Sequence, residues 1–129
     1  MRLLLDTCVL LWLFAEPEKN SRRVQSLIQD SSSEVFLSHI SFIEIAIKFS
    51  KGKLNLPEPP SVLIPRLAAE HGIQSLSLSS NTIFRLESLP FHHTDPFDRL
   101  LVAHAMEAGL TLVSPDPLLR PYDTPILWD

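Results

Sequence analysis

The chain has 129 residues, enough for one ordinary domain over 1–129 and too few for two. It is 45% hydrophobic, so a core can form without staples, and its one cysteine, Cys8, excludes an internal disulfide and fits a reducing cytoplasm. A formal net charge of −4 excludes nucleic-acid binding by overall charge alone, unless bound cations present positive charge to a phosphate.

Residues 2–5 form a short apolar run that predicts a buried parallel strand. Arg2 followed by leucines imitates an export signal, but Asp6 interrupts the run and no small-x-small site follows. The stretch is also too short to cross a bilayer, and no membrane role is expected. A helix opens at Asp6-Thr7 and continues to about Phe14, where Glu16-Pro17-Glu18 breaks it. A polar-faced helix follows over 21–30, then a strand over 35–38. The next helix spans about 42–51 and is closed by Gly52, with Pro57, Pro59 and Pro60 marking an irregular connection. A helix over 62–71 stops at Gly72 and leads to a strand near 74–78. Ser80-Asn81 is expected to cap a helix ending near Pro90, and Asp95-Pro96 to start one ending at Gly109. Thr111-Leu112-Val113 is a strand, Asp116 begins a short helical turn, and a last strand is expected around Ile126. Strands alternating with helices predict an α/β fold with a parallel sheet covered on both faces.

In such a sheet the helices run back against the strands, so each helix N-terminus lies at the carboxyl edge. Asp6 ends the first strand, Glu44 lies in the first turn of the helix after the second, Asp98 opens the helix leading into 111–113, and Asp116 follows that strand. All four should project from one edge, where open α/β sheets bind ligands. Each acid also has a plainer explanation. Acids favour helix starts as caps and dipole partners, Ser41-x-x-Glu44 is a capping-box pattern, and Glu44 can pair with Lys48. Asp6 fits the plainer explanation least, because it follows three leucines in a strand expected to be buried. Clustered carboxylates without histidine or thiolate ligands suit a hard cation, Mg²⁺ or Mn²⁺, which can hold a phosphate ester and activate water.

Four segments carry a family resemblance. Leu5-Asp6-Thr7-Cys8-Val9-Leu10, the stretch from Ser38 to Lys48, Asp95-Pro96-Phe97-Asp98-Arg99 with its apolar continuation to Ala105, and Leu112-Val113-Ser114-Pro115-Asp116 resemble, in order, the motifs of the PIN domain. Gly52-Lys53-Leu54 and the Asp-Pro-Phe-Asp-Arg block resemble the branch of VapC-type toxins. The resemblance covers nearly the whole chain. It implies an α/β/α sandwich around a parallel sheet, Mg²⁺- or Mn²⁺-dependent endoribonuclease activity on RNA, inhibition by a small cognate antitoxin, and a homodimer. The family's acids match Asp6, Glu44, Asp98 and Asp116, which the resemblance makes the catalytic metal ligands. Two departures stand out: Ser114-Pro115-Asp116 replaces the frequent Thr-x-Asp, and His104 stands where this branch often has glutamine.

Asp95 is expected to cap the helix that carries Asp98. His92 and His93 are read as loop residues, since their spacing makes a poor zinc site, with contact of one of them to RNA as the alternative. Lys48 and Arg99 could touch phosphate, although a helix ion pair and a solvated face explain them equally simply. Cys8 is expected as a small buried apolar residue and Trp12 and Phe14 as core. The helix carrying Glu44 is apolar most of the way round, so it is either deeply buried or partly an interface. Two other classes compete. A phospho-receiver module wants paired acids after its first strand and a late lysine, whereas Thr7 follows Asp6 and no lysine follows Lys53. A haloacid-dehalogenase phosphatase needs a second aspartate two residues after the first, where Cys8 stands.

Overall fold

The computed structural model describes residues 1–129. The strands are β1 (Arg2–Leu5), β2 (Glu34–Ser38), β3 (Ile73–Leu76), β4 (Thr111–Val113) and β5 (Ile126–Leu127). The helices are α1 (Thr7–Ala15), α2 (Arg22–Gln29), α3 (His39–Ser50), α4 (Pro60–His71), α5 (Ser80–Phe84) and α6 (Pro96–Ala108). Short 3-10 turns occupy Pro17–Lys19, Arg85–Glu87 and Pro117–Leu119.

Leu3, Leu4 and Leu5 have no exposed surface, because β1 is the middle strand of an all-parallel sheet in the order β3-β2-β1-β4-β5. Alternation along β1 divides the core. Leu3 and Leu5 pack on one face with Val9, Val24, Ile45 and Ile64 from the helices α1 to α4. Leu4 packs on the other with Leu101, Val102 and Ala105 of α6. The result is the three-layer α/β/α sandwich that the resemblance implied. Strand order runs outward from β1 in both directions, so the reversal point lies between β1 and β4, where Asp6 and Ser114 leave the sheet.

Several local expectations are corrected. Helix α3 begins at His39 rather than near Phe42, because the Ser38 hydroxyl accepts from Ile40 N and caps the helix there. Glu44 therefore sits in the second turn, and the Ser41–Glu44 capping box does not form. The stretch expected as one helix from 80 to near 90 is α5, capped by Ser79, followed by a 3-10 turn. Helix α4 begins at Pro60, and β3 ends at Leu76. Cys8, Trp12 and Phe14 are half-buried rather than interior; Trp12 lies 6.0 Å from Trp128, ring centre to ring centre.

Candidate active site

Asp6 occupies the N-cap position of α1, yet its side chain makes no capping bond. Its Oδ2 instead accepts a 2.6 Å hydrogen bond from the Ser114 hydroxyl, and the residue is only 7% exposed. Burial raises its pKa, the Ser114 bond opposes the rise, and the charge of Glu44 adds to it. The backbone N–H groups of Thr7 and Cys8 at the helix start also favour its charged form, so burial is offset only in part.

Glu44 is buried on α3, and its Oε2 accepts from Lys48 Nζ at 2.9 Å. This is the helix ion pair that the spacing allowed, and the Glu44 bond raises the Lys48 pKa. Position is also secured by a contact between the helices: Thr7 Oγ1 donates to Ser41 Oγ at 2.8 Å, tying the start of α1 to α3.

Asp98 lies in the first turn of α6, but Asp95 is the cap, its Oδ1 accepting from Phe97 N at 2.8 Å and Asp98 N at 3.3 Å. The Asp98 carboxylate is thereby left for other uses. Its pKa is pushed up to about 7 by burial and by the charges of Asp6 and Asp95, with His93 pulling the other way and Glu44 adding a smaller rise. Asp116 both caps and faces the site. Its Oδ1 accepts from Leu118 N at 3.0 Å, and its Oδ2 lies 2.9 Å from His93 Nε2.

Acids from four distant stretches of chain are thus brought to one edge of the sheet. The charge of Glu44 raises the cost of ionising Asp6 and Asp98, and that of Asp6 raises the cost for Asp98, while Asp98 and Asp116 meet at His93, one ligand atom from each of the three residues lying within 4.8 Å of the others. The donor set is dominated by carboxylate oxygen, which fits a hard divalent cation, and such a cation would relieve the repulsion that lifts Asp98.

His93 is a component that residue spacing did not reveal. The available signal was its place two residues before the cap Asp95, which turns the ring toward the start of α6. Ser114, noted only as a departure from the family pattern, joins Asp6 to the Asp116 segment, since its hydroxyl also accepts from Asp116 N at 3.1 Å. His104, the other departure, is buried and hydrogen-bonded to Ser38 at 2.8 Å; burial lowers its pKa. Arg99 is not on a solvated face. It is 8% exposed, donates to Leu89 O and lies against the Phe91 ring, so it braces the loop before α6. The Cys8 thiol is pushed up to about 12 by burial and by the charges of Asp6, Asp98 and Glu44, which leaves it inert.

Comparison with known proteins places the fold and the family. The family model described as PIN domain matches residues 3–123. Ribonuclease VapC22 of Mycobacterium tuberculosis is 31% identical over 95% of this chain and 92% of its own length. Among solved structures, VapBC2 of Rickettsia felis, bound to a DNA fragment from its promoter, superposes with a TM-score of 0.74 at 15% identity, over 100% of both chains. VapBC-1 of nontypeable Haemophilus influenzae superposes with a TM-score of 0.64 at 19% identity, over 98% of this chain and 97% of that one. The family match over residues 3–123 and the likeness to Ribonuclease VapC22 agree with the fold, and the chain belongs to the PIN domain family.

Proposed function

We propose that this protein is a Mg²⁺- or Mn²⁺-dependent endoribonuclease, the toxin of a type II toxin–antitoxin pair. The observation that carries this is the group of acids at the sheet reversal point of a PIN fold, Asp98 and Asp116 meeting at His93 with the charges of Asp6 and Glu44 acting on Asp98, in a chain similar over nearly its full length to a ribonuclease. Asp6, Glu44, Asp98 and Asp116 would hold the cation. When bound, it supplies positive charge to the phosphoryl oxygens and lowers the pKa of water for in-line attack.

The chain's own residues do the rest. Ser114 keeps one Asp6 oxygen hydrogen-bonded and so fixes the rotation of that carboxylate. Lys48, whose side chain is half exposed beside Glu44, offers a cation at the rim to an RNA phosphate approaching the acidic cleft. Backbone capping by Asp95 and Ser38 fixes the starts of α6 and α3, and with them the placement of Asp98 and Glu44.

The proposed partner is a small cognate antitoxin. Helix α3 leaves Ile43 and Ile47 exposed, at 45% and 38%. A groove of 430 Å³ between α3 and α4, lined by Phe42, Ala46, Ile64, Pro65 and Ala68, offers the apolar floor that an amphipathic helix needs. A basic residue from the partner would pair with the carboxylates in place of the cation. A homodimer and a cytoplasmic location complete the proposal; no helix is long and apolar enough to cross a membrane.

The test is direct. Inhibitor-free protein should cleave RNA with Mg²⁺ or Mn²⁺ and stop with EDTA. Expression alone should slow growth of a bacterial host, with Asp6→Asn relieving the toxicity and co-expression of the cognate antitoxin restoring growth. Failure to cut any RNA across a broad panel would overturn the enzymatic reading. Ala46→Trp, which fills the groove away from the acids, should retain cleavage while losing the partner.

A further inference from the structure

We propose that His93 is a positioning residue of the metal site: a hydrogen-bond donor, not a ligand, whose Nε2–H holds the Asp116 carboxylate against Asp98. The inference rests on the metal-dependent reading above, but its test does not need RNA.

The ring's tautomer follows from its neighbours. The backbone N–H of Asp95 donates to His93 Nδ1 at 3.0 Å. A backbone amide can only donate, so Nδ1 presents a lone pair and carries no proton. The ring hydrogen is therefore on Nε2. That atom faces only acceptors, Asp116 Oδ2 at 2.9 Å and Asp98 Oδ2 at 3.2 Å. Turning the ring over would place carbons in both positions and forfeit all three contacts.

A metal-binding histidine is wired in the opposite sense. It gives a lone pair to the ion and donates its other N–H to a carbonyl or carboxylate. For His93 to bind a cation through Nε2, Nδ1 would have to carry the proton and meet the Asp95 N–H, donor against donor. Asp95 cannot easily turn away, because its side chain caps α6 through Phe97 N and Asp98 N. The His93 backbone is held as well, its N–H donating to the hydroxyl of buried Tyr122 at 2.9 Å.

Donation by His93 is compatible with a cation at the same carboxylates. Each carboxylate oxygen has two lone-pair directions, so one can take the Nε2 hydrogen while the other faces the ion. Asp116 Oδ1 is already bonded to Leu118 N, and His93 fixes the other oxygen, so this carboxylate is oriented at both ends. A ligand held in advance loses less freedom when the cation binds.

The experiment uses the full chain and Mn²⁺ as the probe. Nitrogen-15 spectra of labelled histidine should report the Nε2–H tautomer for His93 both without metal and with Mg²⁺. Pulsed electron paramagnetic resonance of the Mn²⁺-loaded protein should find no nitrogen bound directly to the ion. His93→Ala should weaken Mn²⁺ binding by roughly ten- to a hundredfold, the scale for losing a partner that orients a ligand. His93→Gln, whose amide nitrogen still donates, should restore most of it. A directly bound nitrogen that disappears in His93→Gln would overturn the proposal, as would Mn²⁺ binding of wild-type strength in His93→Ala. If His93→Ala fails to fold, the wild-type spectra and His93→Gln decide the question. Protein that binds Mn²⁺ in this way yet cuts no RNA would sink the ribonuclease reading and leave this one standing.

Discussion

The Ser114 hydroxyl donates to Asp6 Oδ2 at 2.6 Å across 108 positions of chain, and both residues are buried. This bond joins the carboxyl ends of the two strands between which the sheet order reverses. Removing it leaves a buried carboxylate without its only side-chain donor. Ser114→Ala should therefore cost about 1–3 kcal/mol of stability, the scale of an unsatisfied buried polar group. Chemical denaturation in EDTA would measure it, and a loss below the experimental error would show that water replaces the hydroxyl freely.

The acids should separate activity from stability. Asp98→Asn keeps shape and removes charge, so cleavage should fall by at least roughly a hundredfold, as for loss of a key electrostatic group. Asp6→Asn and Glu44→Gln should do the same, with a smaller effect from Asp116→Asn. Metal-free Asp98→Asn should at the same time be more stable than the wild type at pH 8, because the cost of burying the charge and the repulsion from Asp6 and Asp95 are gone. Full cleavage by Asp98→Asn would remove that residue from the site, and a loss of metal-free stability would mean that its charge is already compensated.

Stability of the metal-free protein should depend on pH in a defined sense. The Asp98 pKa is about 7 in the fold against 3.8 for an unperturbed aspartate, and Asp6 is raised in the same direction. Below pH 3.8 the group is protonated in both states, and the folded protein carries no ionisation penalty from it. As pH rises from there to about 7, the unfolded chain releases the proton first, so this contribution to stability is progressively lost. The loss is on the order of a few kcal/mol, and a divalent cation should offset it. Melting temperatures in EDTA at pH 5 and pH 8, compared between wild type and Asp98→Asn, isolate the group. A pH dependence identical in the two proteins would refute the assignment.

Asp95 should behave as a cap. Asp95→Asn should preserve most of the stability, whereas Asp95→Ala should cost about 1 kcal/mol. Loss of Mn²⁺ binding in a well-folded Asp95→Asn protein would instead make this residue a ligand.

Much of this molecule is written locally. The leucines of β1, the Asp95-Pro96 start of α6 and the stops at Gly72 and Gly109, which take φ of +65° and +66°, act within a few residues and are readable along the chain. With strands and helices alternating, those signals also imply that Asp6, Glu44, Asp98 and Asp116 share an edge, since a parallel crossover leaves little other choice. Other features depend on partners far away in sequence. The sequence offers Ser41 as the cap of α3, but the assembled fold engages Ser41 with Thr7 and gives the cap to Ser38, held by Ile40 N and His104, which moves Glu44 into the second turn. His93 looks like an ordinary loop residue until Tyr122, 29 positions away, and Asp116, 23 positions away, fold against it. The sequence by itself determined the helices, the strands and the edge on which the acids stand, because propensity, capping and chain direction are short-range. Only the tertiary structure decided which carboxylates are buried together and which donors hold them, because those depend on hydrogen bonds closed between distant segments in a medium that water does not screen.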